Sequence, residues 1–98
     1  MKIVFADKRL GLVRTDQAHR LGLPFGVIKA CREKLTVIEA APDELTLRNW
    51  KSLKYKKLKG DLAGIRQIMI NDQYRMRFRL DESTQPPTIE ITEIGDTH

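Results

Sequence analysis

An unbroken alternation of apolar residues and arginines, from Tyr74 to Leu80, constrains the fold more than any other segment of this chain. Successive side chains of a β-strand point to opposite faces, so the alternation predicts a strand with one buried face. The buried face comprises Tyr74, Met76, Phe78 and Leu80, and the opposite face comprises Arg75, Arg77 and Arg79. An ordinary solvated face mixes charges of both signs, whereas this one is expected to be uniformly cationic. Such a face suits the phosphates of a nucleic-acid backbone.

Short strands are also predicted elsewhere in the chain, at residues 2–6, 65–70 and 88–94. Turn-forming residues at positions 71–73 predict a hairpin that joins the second of these strands to the arginine-bearing strand. The third strand is expected to bury Ile89 and Ile91, because they share one face by alternation.

Two helices are predicted in the first half of the chain. The first spans residues 8–20, with Asp7 as its N-cap and Gly22 as its stop. The second begins at Pro24 and ends near residue 40, because Pro42 cannot continue a helix. Its apolar stripe comprises Val27, Ile28, Cys31, Leu35 and Ile38.

The region between these helices and the hairpin is less regular. Residues 43–47 predict a short turn of helix, and residues 49–60 predict a basic loop. Helices followed by a run of antiparallel strands describe an α+β architecture. We therefore expect a single domain over residues 1–98, with two N-terminal helices packed on a small, curved, mostly antiparallel sheet.

Positive charge is concentrated in the middle of the chain. The net charge is +5, yet ten of the 18 lysines and arginines and only two of the 13 acidic residues lie between positions 48 and 79. A concentrated basic region indicates an acidic partner: a nucleic acid, an anionic membrane or an acidic protein.

Several classes of protein are disfavoured by what the sequence lacks. Cys31 is the single cysteine, so no internal disulfide or thiolate cluster is expected. We see no metal-ligand spacing, glycine-rich phosphate loop or nucleophile elbow, and we expect neither a metal nor a cofactor. The apolar start of the chain is too short for a signal peptide, and no segment has the length of a membrane span. A cytoplasmic protein without membrane association is expected.

A basic groove without a metal is suited to cleavage of RNA by its own 2′-hydroxyl group. A base removes the hydroxyl proton, cations stabilise the charge on the phosphorane, and an acid protonates the leaving oxygen. His98, with Asp96 nearby in the sequence, is the preferred proton-transfer residue, because imidazole titrates near neutral pH. A lysine among the clustered cations of residues 53–61 is an alternative proton carrier.

Four blocks of sequence resemble a known family. They are Leu-Lys-Gly-Asp-Leu-Ala-Gly at residues 58–64, Ile-Met-Ile-Asn-Asp-Gln-Tyr-Arg-Met-Arg-Phe at residues 68–78, Ile-Glu-Ile at residues 89–91 and the terminal Asp-Thr-His. On these motifs the chain resembles the HigB-type toxins of the RelE superfamily, small bacterial proteins that cleave mRNA on the translating ribosome. The resemblance is close in the second half and extends to the first half in helical layout and length.

This resemblance implies an active site in the second half of the chain. Arg75 falls on the arginine that the family uses at the scissile phosphate, and Lys56 stands where some members have a histidine. Thr97 stands where the family usually has a tyrosine, so stacking of that side chain on a base is lost. The catalytic candidates are Lys56, Lys59, Arg75, Asp96 and His98.

The remaining cations and the partners follow from the same resemblance. The residues expected to hold the backbone of the messenger or of ribosomal RNA are Lys54, Lys57, Arg66, Arg77 and Arg79. The partners implied are mRNA on the ribosome and a cognate antitoxin, often with a helix-turn-helix domain, in a complex that could bind operator DNA.

Two other functions remain open. Toxins of the ParE type share the superfamily and act on gyrase, but Arg75 and the Asp96–His98 end favour a nuclease. A non-catalytic RNA-binding module would need stacking aromatic residues, and alternation leaves Tyr55 as its one obvious platform.

Overall fold

The computed structural model describes residues 1–97, and within that range the chain folds around one mixed five-stranded sheet. The strands are β1 (Lys2–Phe5), β2 (Lys56–Lys57), β3 (Ile65–Met69), β4 (Tyr74–Asp81) and β5 (Thr88–Asp96). Their order across the sheet is β1-β5-β4-β3-β2. The outer strand β1 runs parallel to β5, and the other neighbours are antiparallel. The predicted α+β class and the mostly antiparallel sheet are confirmed.

The described part of the chain has three α-helices: α1 (Lys8–Gly11), α2 (Phe25–Ala40) and α3 (Glu44–Asn49). All five residues of the apolar stripe predicted for α2 are buried. Pro24 occupies the capping position, so the helix begins one residue later than expected. The side chain of Asp43 accepts a hydrogen bond from the amide of Thr46 and caps α3.

The prediction of one helix over residues 8–20 is wrong, although both of its end signals are correct. Asp7 caps α1, and Gly22 ends the segment with φ of +71°. Between them the chain forms α1 and then two 3₁₀ turns, at Leu12–Arg14 and Ala18–Leu21. Thr15 lies between the two 3₁₀ turns in an extended conformation. The hydroxyl of Thr15 donates to the carbonyl of Leu12 and accepts from the amide of Gln17. These local hydrogen bonds compete with continued helix.

The basic loop predicted for residues 49–60 is also more ordered than expected. Residues 56–57 form the edge strand β2, which pairs with β3. A 3₁₀ turn at Lys51–Leu53 precedes it, and Lys54 adopts a left-handed conformation between the two. Leu53 is fully buried, so the loop is tied to the core rather than solvated along its whole length.

The core lies between α2 and one face of the sheet, which we call the inner face. Met76 and Phe78 of β4 and Ile89 and Ile91 of β5 are completely buried there, as predicted. They pack in one cluster with the apolar stripe of α2. Within residues 1–97, no helix is long and apolar enough to cross a membrane.

Candidate nucleic-acid interface

The three arginines of β4 lie on the opposite side of the sheet, which we call the outer face. Their neighbours Met76 and Phe78 are buried on the inner face, so strand alternation fixes this direction. The arginine side chains differ in exposure: 12% for Arg75, 22% for Arg77 and 63% for Arg79. Arg75 is therefore a largely buried cation on a sheet surface, and Arg79 is a solvated one.

The expectation of a uniformly cationic face is wrong, because β5 contributes two carboxylates. Oε1 of Glu93 lies 2.6 Å from Nη2 of Arg75, and Oε2 of the same residue lies 3.6 Å from Nη1 of Arg77. Glu90 stands 3.8 Å from Nη1 of Arg79. The pattern of β4 alone carries no information about the sign of the charges on the neighbouring strand.

A β-bulge in β5 brings Glu93 to the outer face. Phe78 pairs with Ile91 while Arg77 pairs with Glu93, so Thr92 is an extra residue without its own partner position. Strict alternation from the inward-facing Ile91 would direct residue 93 inward as well. The inserted residue reverses the alternation and places the carboxylate beside the arginines.

Arg75 has more hydrogen-bond donors than the described residues satisfy. Its Nη2 donates to Glu93, whereas Nε and Nη1 are buried without a partner in that part of the chain. A buried charged donor without an acceptor is unfavourable, and such atoms often mark the place of a ligand, ion or water. An incoming phosphate oxygen could accept from either nitrogen once the covering atoms move.

One row of paired residues connects Arg77 to the basic segment before the hairpin. Lys56 of β2 is opposite Gln67 of β3. Arg77 of β4 is opposite Gln67 on one side and Glu93 of β5 on the other. Directly opposite residues have Cβ atoms about 4.5–5.5 Å apart. The amide oxygen of Gln67 accepts from Nε of Arg77 at 3.1 Å. The predicted site residues Lys56 and Arg77 therefore share the outer face.

Arg66 and Lys57 are directed to the other face. Arg66 is opposite Phe78, and Lys57 is opposite Arg66, so both leave the sheet on its inner side. Nε of Arg66 donates to Oε2 of Glu44 at 2.7 Å, and the hydroxyl of Tyr55 donates to the same oxygen. The structure thus separates two predicted RNA-binding residues from the arginines of β4. Their predicted role is not tested by this placement.

The Glu44–Tyr55–Arg66 cluster also changes the chemistry of its members. Burial and the neighbouring carboxylate of Glu44 raise the pKa of Tyr55 well above its usual value. Burial alone would raise the pKa of Glu44, but hydrogen bonds from Tyr55 and Arg66 lower it overall. The ring of Tyr55 packs edge-on against Phe78, with centroids 6.0 Å apart. Tyr55 is therefore committed to the fold and is not a free stacking platform for a base.

The glycines of the motif at residues 58–64 have a clear conformational role. Gly60 has φ of +67° and Gly64 has φ of +90°, both in the left-handed region that favours glycine. Gly60 is the first residue of the 3₁₀ turn Gly60–Leu62, and Gly64 lies between this turn and β3. Lys59, a predicted catalytic residue, is exposed immediately before this turn, and Lys54 is exposed before β2.

The C-terminal candidates lie where β5 ends. Asp96 is the last residue of the strand and is opposite Tyr74, next to the start of β4. The amide of Thr97 donates to the carbonyl of Gln73 at 2.8 Å, which holds the chain against the hairpin turn. His98 lies outside the described residues. Across residues 1–97, no group of three or more His, Cys, Asp or Glu side chains is arranged to hold a metal ion.

Comparisons with known proteins give consistent matches. A family model described as RelE-like toxin of type II toxin-antitoxin system HigB matches residues 3–87. Toxin HigB-1 of Vibrio cholerae serotype O1 is 35% identical over 80 residues, which cover 81% of this chain and 83% of the relative. The family match includes Arg75 and the lysines of residues 54–59 but ends before Asp96.

Solved structures share the fold. The YoeB/ParE toxin from Agrobacterium tumefaciens superposes with a TM-score of 0.61 at 19% identity and covers 100% of both chains. A chain of the toxin-antitoxin complex RelBE2 from Mycobacterium tuberculosis gives a TM-score of 0.55 at 21% identity, over 97% of this chain and 95% of that one. At these identities the likeness shows the architecture alone.

Proposed function

This chain belongs to the HigB-like family of RelE-like toxins of type II toxin–antitoxin systems, and on that premise we propose that it inhibits translation by cleaving mRNA on the ribosome. The observation that carries the proposal is Arg75, a largely buried guanidinium whose Nε and Nη1 lack acceptors among the described residues. A site with unused charged donors beside a second arginine suits a phosphate that gains charge in the transition state.

In the proposed reaction, the 2′-hydroxyl of the RNA attacks the adjacent phosphate and displaces the 5′-oxygen of the next nucleotide. Arg75 stabilises the negative charge that develops on the phosphorane oxygens. Lys56, on the same face as Arg77, and the exposed Lys59 are proposed to contribute further positive charge. His98, oriented by Asp96, is the proposed proton-transfer residue, because a group that titrates near neutral pH can both accept and donate.

Dependence on the ribosome is part of the proposal. The Tyr55 ring is packed against Phe78 and its hydroxyl is bonded to Glu44, so it is not available to stack on a base. We therefore propose that the ribosome positions the messenger, which can contribute several orders of magnitude to the rate. The same observation removes Tyr55 as the stacking platform of a non-catalytic RNA-binding module, whereas Trp50 and Phe25 are exposed.

A cognate antitoxin is the second proposed partner. The RelBE2 structure is that of a toxin-antitoxin complex, and family membership implies an antitoxin for this chain as well. We propose that this antitoxin carries a helix-turn-helix domain and that the complex binds operator DNA.

Cell-free translation with mapping of mRNA ends tests the proposed activity. We expect new mRNA ends only when ribosomes are present, and efficient cleavage of naked mRNA would point to a free ribonuclease instead. A parallel gyrase supercoiling assay covers the ParE-type alternative. Inhibition of supercoiling without any mRNA cleavage would replace the proposed function with that alternative.

The proton-transfer assignment has its own test. We expect His98→Gln to lower the single-turnover cleavage rate by about 100-fold or more and to remove a limb of the pH–rate profile near neutrality. Circular dichroism of the variant serves as the folding control. Unchanged cleavage would move the proton-transfer role to Lys56 or Lys59.

A further inference from the structure

Glu93 occupies a position that the proposed reaction does not use. Its carboxylate lies between two arginines, 2.6 Å from Nη2 of Arg75 and 3.6 Å from Nη1 of Arg77. It reaches the outer face only because the bulge at Thr92 reverses the alternation of β5. Many surface glutamates serve only to keep a protein soluble. Glu93 instead reaches a buried arginine by way of a β-bulge, which indicates a more specific role.

The environment of Arg75 explains why this carboxylate matters. The Arg75 side chain is 12% exposed, and Glu93 is its one hydrogen-bond acceptor among residues 1–97. Removal of the partner of a buried charge is strongly unfavourable, so the side chain would move toward solvent. Arg77 lies on the same face, roughly 6.6 Å farther along the strand. Its positive charge would repel the guanidinium of Arg75 once Glu93 is removed. Glu93 therefore holds the guanidinium in place.

The contact also leaves donors without an acceptor in the described part of the chain, and a ligand can bind them once the atoms that cover Nε and Nη1 of Arg75 move. A guanidinium has five N–H groups, and one carboxylate oxygen on Nη2 uses one of them. Each bidentate edge contains Nη2, and the second hydrogen of that nitrogen completes an edge with either Nε or Nη1. A single carboxylate oxygen can thus orient the guanidinium without consuming both edges.

We propose that Glu93 is a positioning residue for the cleavage reaction, holding Arg75 so that its remaining edge meets the scissile phosphate. The proposal rests on the proposed function for its link to RNA. Glu93 itself does not contact the substrate. The opposite role, a carboxylate that blocks Arg75 and is displaced by RNA, predicts the opposite sign for the same variant.

Glu93→Gln and Glu90→Gln form a matched pair for the test. Both glutamates leave β5 on the outer face opposite an arginine of β4, and their side chains are 45% and 43% exposed. Both variants remove one negative charge, but Glu90 is paired with Arg79 and not with Arg75. Single-turnover cleavage on ribosomes is measured together with the affinity of each variant for the ribosome.

We expect Glu93→Gln to lower the cleavage rate at saturation about tenfold or more, because small misplacements of a catalytic group are costly. Ribosome affinity should be unchanged or slightly higher in both variants, because both lose one negative charge, and Glu90→Gln should leave the cleavage rate unchanged. A faster Glu93→Gln enzyme would establish the blocking role instead. An unchanged rate, or an equal loss in Glu90→Gln, would also overturn the proposal.

A double-mutant cycle and a measurement without RNA complete the experiment. In an Arg75→Ala background, Glu93→Gln should cause no further loss, because it acts through that arginine. The ¹⁵N relaxation of the Arg75 Nε–H group should report a rigid side chain in the wild type and a mobile one in Glu93→Gln. If the wild type cleaves no mRNA, the proposed function fails, and the relaxation data still decide whether Glu93 holds Arg75. Equal rigidity in both proteins would refute the positioning role.

Discussion

Two arginine–glutamate pairs, one on each face of the sheet, differ in how completely they satisfy their arginine. On the inner side, Nε of Arg66 donates to Glu44 at 2.7 Å, Nη1 contacts the carbonyl of Gly64 at 3.4 Å, and Tyr55 shares the carboxylate. On the outer face, Glu93 takes Nη2 of Arg75 and leaves two buried nitrogens without acceptors among the described residues. The side chains have similar exposure, 16% and 12%.

The comparison teaches that burial and pairing alone do not identify a functional cation. A pair that leaves none of its buried donors without an acceptor fixes the fold, here by tying α3 and the residues before β2 to the sheet. A pair that leaves donors unmet keeps binding capacity at a cost in stability. Substitutions in the two pairs should therefore affect different properties of the protein.

The largest effect is expected for Arg75→Ala. Loss of a donor that stabilises the transition state costs about 3–4 kcal/mol, or two to three decades in the cleavage rate. The midpoint of thermal unfolding should change little, because the substitution also removes the unsatisfied donors. Circular dichroism and mRNA cleavage are measured on one sample, with Arg48→Ala on the exposed surface of α3 as the control for lost charge.

Full cleavage by a folded Arg75→Ala protein would remove this residue from the site. A protein that unfolds would instead make the outer pair structural, like the inner one.

The next effect is expected for Arg66→Ala, and it should be a loss of stability. The substitution leaves Glu44 without its charged partner, and we expect about 1–3 kcal/mol of destabilisation in urea unfolding. Arg14→Ala is the matched control, because its bridge to Glu39 is more exposed, at 31% and 48%. That control should lose no more than about 1 kcal/mol. Equal losses in the two variants would show that the Glu44–Tyr55–Arg66 cluster stabilises the fold no more than an exposed ion pair does.

The smallest effect is a pH dependence that belongs to Glu44. Its pKa in the folded protein is lower than in the unfolded chain, so the unfolded state binds the proton more tightly. The stabilisation is therefore complete above the unfolded value and is lost as pH falls through the folded pKa. Other carboxyls, including Glu39 and Asp81, also have lowered pKa values and weaken the fold in acid.

The comparison of wild type with Glu44→Gln isolates this contribution. The difference in their free energies of unfolding should shrink from neutral pH to about pH 3. A difference that stays constant over this range would exclude ionisation of Glu44 as its source.

Patterns contained within one segment predicted the structure well. The alternation in β4, the apolar stripe of α2 and the caps at Asp7 and Gly22 each depend on neighbours along the chain. The resemblance in the second half of the chain likewise led to the correct family. These local patterns predict the structure reliably because the tertiary contacts favour the same local conformations.

Features that depend on strand pairing were missed. The face on which Arg66 lies is set by its register against Phe78, and its segment has too many apolar residues to show alternation. The contact between Glu93 and Arg75 depends on a bulge that the sequence of β5 does not announce. The break at Thr15 and the edge strand at Lys56–Lys57 also reflect competition between local and tertiary hydrogen bonds.

Because of the bulge, the alternation of inward and outward side chains in β5 is reversed after Thr92. This reversal limits how the sequence of the strand can vary. Before Thr92, odd-numbered positions are interior, and after it the even-numbered Ile94 takes that place. Which side chains of β5 reach the outer face therefore depends on the presence of the extra residue as well as on the identity of the others. A substitution at position 93 changes one contact, whereas regular pairing with Thr92 retained would exchange the interior and exterior of the whole C-terminal segment. Deletion of Thr92 itself would preserve both faces, because Glu93 and Ile94 would then follow Ile91 in regular alternation.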